Sequence, residues 1–288
     1  MDERVHIALV ANGPYLPGLR LTKASMIAAA KHPEKLVFHE FNVDEYDLSG
    51  LKALPPFKGG HAAYFRLLFP KLLPELDRVV YADVDTVWFR DPEELWSIDT
   101  HDKAIWWVKD IPSTRYEDSA YDPEKYGCTG VMLMNLKAMR ERDVLGKCLA
   151  FGEGKTTLKY ADQDLLNGCA QDDSAFLPPE WDIVMEGVPE RGVYHVVGIG
   201  QHFGKADTGA AIHSRLPQHA LWFKWYDELV RGIEPVRRHR KAYELIWRIV
   251  AIVPRFVVPL LPARCELCSS LRRLHFFARM WMKERTVG

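Results

Sequence analysis

The sequence is poor in cysteine, and this scarcity restricts the environment in which the protein is expected to work. Five cysteines occur among 288 residues, an odd number scattered as Cys128, Cys148, Cys169, Cys265 and Cys268. Such a distribution argues against a disulfide framework and favours a reducing cytoplasm. Cys265 and Cys268 form a CxxC pair, but no second pair completes a structural zinc site.

Other patterns are missing as well. The sequence contains no internal repeats, no low-complexity segment and no P-loop, so neither a repeat array nor a P-loop nucleotide site is expected. The first four residues are largely charged and lead directly into a strand-like run, which predicts no signal peptide.

Excess charge of one sign is absent overall, but the near-zero total hides an asymmetry. Residues 231–288 carry 13 Lys and Arg against 4 acidic residues, a net charge of +9, whereas the remainder carries 25 basic and 35 acidic residues, or −10. An acidic body with a basic tail indicates that the tail has an anionic partner of its own.

The apolar periodicity predicts an α/β protein. Residues 5–11 and 36–41 are strand-like, and a helical segment over 19–30 separates them, which favours parallel pairing. Further helices are predicted over 61–73, 136–150, 160–170 and 219–230, and further strands over 79–82, 104–108, 127–135 and 210–213. A hydrophobic fraction of 48% allows a substantial core.

Two carboxylates follow the short apolar run 79–82, and they are the centre of the functional prediction. Asp83 and Asp85 are two residues apart, so in an extended segment both point the same way. Like charges this close favour a cation between them, which predicts a metal site for an anionic, phosphate-bearing substrate. The alternative is a solvated strand-to-loop junction. Asp91 and Pro92 then predict a helix N-terminus.

Three other positions carry chemistry in the sequence. Arg66 lies in an apolar helix, where it either reaches solvent or pairs with a carboxylate or substrate oxygens. Asp162, Gln163 and Asp164 crowd a helix start, with Asp162 at the expected N-cap; simple capping is the alternative to a functional role. His213 ends an apolar run and is a candidate third metal ligand, or a hydrogen-bonded structural residue.

Five segments in this order resemble the retaining glycosyltransferases of family 8, which include glycogenin and bacterial lipopolysaccharide galactosyl- and glucosyltransferases. They are AYFRL (63–67), LDRVVYADVD (76–85), GVMLMN (130–135) with the following Leu136–Lys137, YADQDLLN (160–167) and Ile212–His213. The similarity extends over about residues 5–230. A DxD motif alone is common, whereas five ordered motifs are specific.

The resemblance implies a GT-A-like α/β fold, a Rossmann-like nucleotide-binding mixed sheet flanked by helices, over residues 1–232. It places donor-binding residues at Ala11, Asn12, Tyr15, Arg66, Asp83, Val84, Asp85, Arg215 and His219. Metal ligands are implied at Asp83, Asp85 and His213, and the reacting face of the sugar at Asp162, Gln163 and Asp164. Three loops depart from the family pattern: 12–14, 127–130, and 214–222, where Arg215 or His219 would replace a phosphate-binding lysine.

The expected activity is Mn²⁺-dependent retaining transfer of a glucose or galactose unit from a UDP-sugar to a glycan or lipopolysaccharide-type acceptor, with Mg²⁺ as the other candidate metal. Two alternatives stay open. A phosphatase of the haloacid dehalogenase type would use Asp83 as nucleophile with Mg²⁺, because residues 83–87 also fit its DxDx[TV] motif. A degenerate transferase would bind nucleotide-sugars without catalysis.

The segment 233–288 is expected to be a basic, partly helical tail that binds an anionic membrane surface. Its apolar part, 243–262, is interrupted by arginines and prolines, so it is not expected to cross a bilayer. Residues 269–283 place an apolar stripe opposite basic side chains, a pattern typical of a helix lying in a membrane surface. The apolar members are Leu271, Leu274, Phe277, Ala278 and Trp281, and the basic ones Arg272, Arg273, Arg279 and Lys283. The alternative is a helix that packs on the catalytic domain. These patterns predict a cytoplasmic protein on the inner face of the membrane, with no nucleic-acid partner.

Overall fold

The computed structural model describes residues 4–58, 60–100, 102–110, 122–184, 192–208 and 217–232. Its strands are β1 (Val5–Ala11), β2 (Leu36–Asn42), β3 (Val79–Ala82), β4 (Thr86–Trp88), β5 (Ile105–Lys109), β6 (Gly127–Met134), β7 (Ser174–Leu177), β8 (Ile183–Val184) and β9 (Val193–His195). Its α-helices are α1 (Leu16–Ala29), α2 (Phe69–Leu72), α3 (Pro92–Trp96), α4 (Leu136–Glu141), α5 (Val144–Gly152), α6 (Asp162–Ala170) and α7 (Pro217–Leu229). Two 3-10 helices, Ala62–Leu68 and Ile199–Thr208, precede α2 and α7.

A six-stranded mixed sheet forms the centre of the molecule, in the order β2-β1-β3-β6-β5-β7. Strand β1 is parallel to both β2 and β3, as the opening strand–helix–strand pattern predicted. Strand β6 is antiparallel to β3 and β5, and β7 is parallel to β5. The predicted α/β class and mixed sheet are confirmed.

Both faces of the sheet are buried, which explains why its central strands are apolar without alternation. In β3, Val80 and Ala82 face one core, and Val79 and Tyr81 face the other. Helices α1 and α7 cover the first face, whereas α2, α4, α5, α6 and the 3-10 helix Ala62–Leu68 cover the second. The apolar run ends at Asp83, the first polar residue after β3, and the chain returns to the same core at Val87 and Trp88.

A small second sheet, β4-β9-β8, lies beyond the end of β3. Strand β4 follows Asp85 directly and pairs antiparallel with β9, which sets Thr86 opposite His195. Strand β8 pairs with β9 in parallel. This pairing brings a late segment of the chain against the two aspartates.

Two predicted helices differ in the structure. The segment expected as one helix over 136–150 is divided into α4 and α5, because Asp143 adopts a left-handed backbone with φ of 47° and caps α5 through Gly146 N–H at 3.1 Å. The helix expected over 61–73 is a 3-10 helix for most of its length. Helix α3 begins as predicted, since Asp91 accepts from Glu93 N–H at 3.0 Å.

The cysteines differ in part from the expectation that argued against a disulfide framework. Cys148 of α5 and Cys169 of α6 form a disulfide, with Cα atoms 5.5 Å apart, because the two helices pack side by side. Cys128 is a buried free thiol.

Several sequence predictions lie outside the described residues: the strand 210–213 with His213, Arg215, the CxxC pair and the tail 233–288. Among the helices of the described part, none has the length and apolar character needed to cross a membrane.

Candidate active site

A pocket of about 490 Å³ opens beyond the carboxyl ends of β1, β2 and β3. In open α/β sheets this edge is where ligands bind. Its lining includes seven residues predicted to bind the donor: Ala11, Asn12, Tyr15, Arg66, Asp83, Val84 and Asp85. The structure therefore brings together positions that lie far apart in the sequence.

The backbone holds Asp83 and Asp85 in a turn between the two sheets. Asp83 N–H donates to the carbonyl of Gly130 at 2.7 Å, and the Thr86 hydroxyl donates to the Asp83 carbonyl at 2.7 Å. Val196 N–H donates to the Asp85 carbonyl at 2.8 Å. With these backbone groups paired, both carboxylates are left to face the pocket.

Arg66 pairs with carboxylates rather than reaching solvent. Its guanidinium lies 2.9 Å from Asp83 Oδ1 and 3.2 Å from Asp162 Oδ2, and it donates to the Thr129 carbonyl at 2.9 Å. Its carbon atom Cζ also stacks 4.2 Å from the centre of the Tyr81 ring. Burial lowers the pKa of Arg66, but the two carboxylates outweigh this effect and raise it. Arg66 therefore stays charged and binds both acids.

His195 lies beside the two aspartates as a third candidate metal ligand, and the sequence patterns did not predict it. Its Nε2 lies 3.1 Å from Asp85 Oδ1 and 3.8 Å from Asp83 Oδ2, while Nδ1 lies 3.0 Å from Asp182 Oδ1. Burial would lower the pKa of His195, but Asp85 and Asp182 raise it well above its ordinary value. His195 is the last residue of β9, but Val196 and Val197 continue the apolar run, so it lacks the run-end position that pointed to His213.

These side chains fit a divalent metal. One ligand atom each from Asp83, Asp85 and His195 lies within 4.8 Å of the other two. Burial and the neighbouring Asp85 charge raise the pKa of Asp83 against the effect of Arg66, so a cation there relieves a real repulsion. Carboxylate oxygens and an imidazole nitrogen suit Mn²⁺ or Mg²⁺, and Asp182 holds the imidazole from behind, as carboxylates do in metal sites.

The start of α6 is not capped by Asp162, so that prediction is wrong. Asp162 is the first helical residue, and the N-cap is Ala161, whose φ of 48° is unusual for a residue other than glycine. The Asp162 carboxylate instead pairs with Arg66 and accepts from the Thr129 hydroxyl at 3.0 Å. Burial raises the pKa of Asp162 to about 6, although Arg66 opposes the shift. The acid acts in the site network rather than as a cap.

The next two residues of α6 also make side-chain networks. Gln163 accepts from Thr129 N–H at 3.2 Å and donates to Asp110 Oδ2 at 3.1 Å. Asp164 accepts from the Tyr126 hydroxyl at 2.6 Å and from Tyr160 N–H at 2.9 Å. None of the three residues 162–164 lines the described pocket; Asp162 is linked to it through Arg66.

Two further predicted donor-binding residues differ in their surroundings. Asn12 lies at the pocket with its Oδ1 buried and without a hydrogen-bond partner, so an acceptor is available there. His219 is buried in α7, where its Nε2 lies 3.4 Å from the Val197 carbonyl, and it does not line the pocket. Arg215, predicted beside it, lies outside the described residues.

Comparison with known proteins gives a consistent result. The profile described as Glycosyl transferase family 8 matches residues 6–197. General stress protein A of Bacillus subtilis is 27% identical over 128 residues, 42% of this chain and 45% of that protein. A lipopolysaccharide 1,2-glucosyltransferase of Escherichia coli is 28% identical over 164 residues, 54% and 47%. Glucoside xylosyltransferase 1 of Mus musculus is 27% identical over 219 residues, 58% and 52%. The aligned stretches thus span about half of these curated relatives.

A solved structure shares the fold. Galactosyltransferase LgtC, determined with donor and acceptor sugar analogues, has a TM-score of 0.55 at 17% identity, and the match covers 78% of this chain and 96% of that chain. The mixed sheet and its flanking helices are therefore those of the GT-A fold.

Proposed function

The chain belongs to glycosyltransferase family 8, and from this premise we propose that it is a retaining transferase that moves a hexose from a UDP-sugar to a glycan or lipopolysaccharide-type acceptor. The observation that carries the proposal is the charged network that begins at Arg66, Asp83 and Asp85 in the pocket lining and continues behind it, where Arg66 joins Asp83 to Asp162 and His195 joins Asp85 to Asp182. Family membership also removes the phosphatase alternative.

The pocket supports a nucleotide as the donor. The unpaired Asn12 Oδ1 can accept a hydrogen bond from a base N–H, and an unsatisfied buried acceptor is costly unless a ligand pairs with it. Tyr15 also lines the pocket and is more than one-third exposed, so its ring is available for stacking. A uracil base supplies both an N–H donor and a flat face.

A divalent metal fits the cluster of two carboxylates and an imidazole at the pocket. Asp83, Asp85 and His195 would hold it, with His213 as the ligand that the family resemblance adds. A bound metal supplies Lewis-acid stabilisation to the diphosphate that leaves the anomeric carbon. The chain itself keeps its two carboxylates pointed at one spot, through Arg66 on Asp83 and His195 on Asp85. We propose Mn²⁺ for this position.

The start of α6 favours transfer without a covalent sugar–enzyme intermediate. Asp162 is held by Arg66 and the Thr129 hydroxyl, and Asp164 by the Tyr126 hydroxyl. Because each carboxylate already accepts hydrogen bonds, each is a poorer nucleophile than an unpaired carboxylate. We therefore propose that the acceptor hydroxyl attacks on the face from which the diphosphate leaves. The family resemblance, rather than the pocket lining, is the reason to place Gln163 nearest the sugar.

The test is a panel of nucleotide-sugars, including UDP-glucose, UDP-galactose and UDP-xylose, incubated with Mn²⁺, with Mg²⁺ or with a chelator. Sugar release is expected with one UDP-hexose, and the chelator is expected to abolish it. The Asp85→Asn variant is expected to lose at least about 100-fold in rate, since electrostatic stabilisation is typically a large catalytic contribution.

The matched control is Asp77→Asn, which removes a carboxylate near the start of β3 whose side chain is 80% exposed. It is expected to keep wild-type activity. Release of xylose instead of a hexose would show that the donor is UDP-xylose. Full metal-dependent turnover by Asp85→Asn would contradict the proposed site. Binding of donor without turnover, under every metal condition, would favour the non-catalytic alternative.

A further inference from the structure

One cation at the pocket has no partner in the network described above. Of the four charged residues that line the pocket in the described chain, Asp83 and Asp85 are acidic and Arg66 is neutralised by Asp83 and Asp162. The fourth is Lys58. It is exposed and forms no ion pair with any described residue; its ammonium lies 5.2 Å from the centre of its neighbour's ring, that of Phe57.

The backbone presents Lys58 at the pocket. Phe57 and Gly60 exchange backbone hydrogen bonds of 2.8 and 3.1 Å, which closes a tight hairpin with Lys58 at its tip. We call Phe57, Lys58 and Gly60 the rim hairpin. Lys58 has φ of 48°, a left-handed backbone conformation that is unfavourable for most residues other than glycine and asparagine. Such a conformation persists only where the surrounding structure enforces it.

Two contacts between the segments that flank the rim hairpin supply that enforcement. His61 Nε2 lies 3.0 Å from the Leu54 carbonyl. The buried Tyr64 hydroxyl donates to the Pro55 carbonyl at 2.8 Å. These contacts attach the rim hairpin to the 3-10 helix that carries Arg66. Lys58 and Arg66 are therefore held at the pocket by the same packed segment.

The charge balance of the pocket indicates what Lys58 binds. A nucleoside diphosphate brings several negative charges toward Asp83 and Asp85, and the Arg66 charge is already shared between two acids. An ammonium at the rim that is not in an ion pair lowers the electrostatic free energy of binding that ligand. Lysine binds phosphate as a point charge. We propose that Lys58 contacts the diphosphate of the donor and determines much of its affinity, an inference that rests on the proposed function.

The experiment measures binding of UDP and of uridine by calorimetry in the presence of Mn²⁺, for wild type, Lys58→Gln and Lys58→Arg. Lys58→Gln is expected to bind UDP about 10-fold more weakly, the loss of one charge-assisted contact, and to bind uridine as wild type does. Lys58→Arg keeps the charge and is expected to stay within about 3-fold of wild type. Added NaCl is expected to weaken UDP binding more in wild type than in Lys58→Gln.

The matched control is Lys52→Gln, because Lys52 is also exposed in the same region but does not line the pocket. Melting temperatures confirm that all variants fold. Equal UDP affinity in wild type and Lys58→Gln would overturn the inference, as would an equal loss of uridine binding, which would indicate a defect of shape. If wild type itself does not bind UDP, the proposed function fails instead.

Discussion

Arg66 illustrates, at the scale of single residues, how the cost of burying a charge determines what a side chain does. Its guanidinium is mostly buried, and each side of it meets a carboxylate. Removing one partner of such a group leaves uncompensated charges in a dry environment. This lowers the stability more than replacing the whole ion pair with apolar residues would. The residue therefore contributes to stability and to the site at once.

Arg66→Met is expected to lower the free energy of unfolding by about 3–5 kcal/mol, since it leaves Asp83 and Asp162 facing each other without a cation. Urea denaturation measures this loss. The control is Arg78→Met, which removes a guanidinium that lies over the Trp96 ring and is not part of the site. A loss for Arg66→Met no larger than that of the control would show that the network contributes little.

Asp162 gives a prediction about pH. Burial raises its pKa to about 6 in the folded protein, above the ordinary value of 3.8, so the folded state binds the proton more tightly than the unfolded state. Stability from this group is therefore present below the unfolded pKa and declines as the pH rises from about 4 to about 6. We expect the unfolding free energy of wild type, minus that of Asp162→Asn, to fall by at most about 3 kcal/mol over this range. Denaturation at a series of pH values tests this, and a difference that grows with pH would contradict it.

At the scale of elements, β6 is shaped by what lies against it. A Cβ at Gly130 would come 2.5 Å from the His195 ring and 2.8 Å from Asp182 Oδ2. The same residue accepts the Asp83 N–H. Close approach of β6 to the aspartate turn and to β9 therefore requires a glycine at this position.

Gly130→Ala is expected to displace His195, to cost about 1–3 kcal/mol of stability and to weaken metal binding. Unfolding curves and Mn²⁺ titration by calorimetry measure the two effects. Gly50→Ala is the control, because its added Cβ meets nothing within 4 Å. If both variants bind Mn²⁺ equally well, the position of His195 does not matter for the metal.

At the scale of the whole molecule, the charge asymmetry separates an acidic catalytic body from a basic tail. We propose that residues 233–288 attach the protein to the inner face of the cytoplasmic membrane, because several basic residues near an anionic leaflet contribute about 1 kcal/mol each. The proposal depends on the sequence pattern alone.

The full chain is expected to co-sediment with vesicles containing anionic phospholipid and to be released by high salt. Replacing Arg272, Arg273 and Arg279 with glutamine is expected to reduce binding by at least about 10-fold, since three favourable contacts are lost. Vesicles of neutral phospholipid are the control. Failure of the full chain to bind, or equal binding to neutral vesicles, would exclude an electrostatic membrane role.

The sequence by itself determined the parts of this protein that depend on local periodicity. A continuous apolar run predicted that β3 is buried on both faces, and the spacing of Asp83 and Asp85 placed two carboxylates at its end. The order of five short motifs identified the family. These inferences succeeded because strand direction and side-chain alternation act between residues a few positions apart.

Only the tertiary structure decided which groups these carboxylates meet. Arg66 binds Asp83 and Asp162 because a 3-10 helix and α6 pack on the same face of the sheet, and His195 reaches Asp85 because β9 pairs with β4. Helical spacing alone favoured Asp162 as a cap, and burial beside a guanidinium overrode it. These contacts form because distant segments neutralise each other's charges in a dry interior. There, the free-energy cost of an unpaired charged group exceeds any local preference for a helix cap.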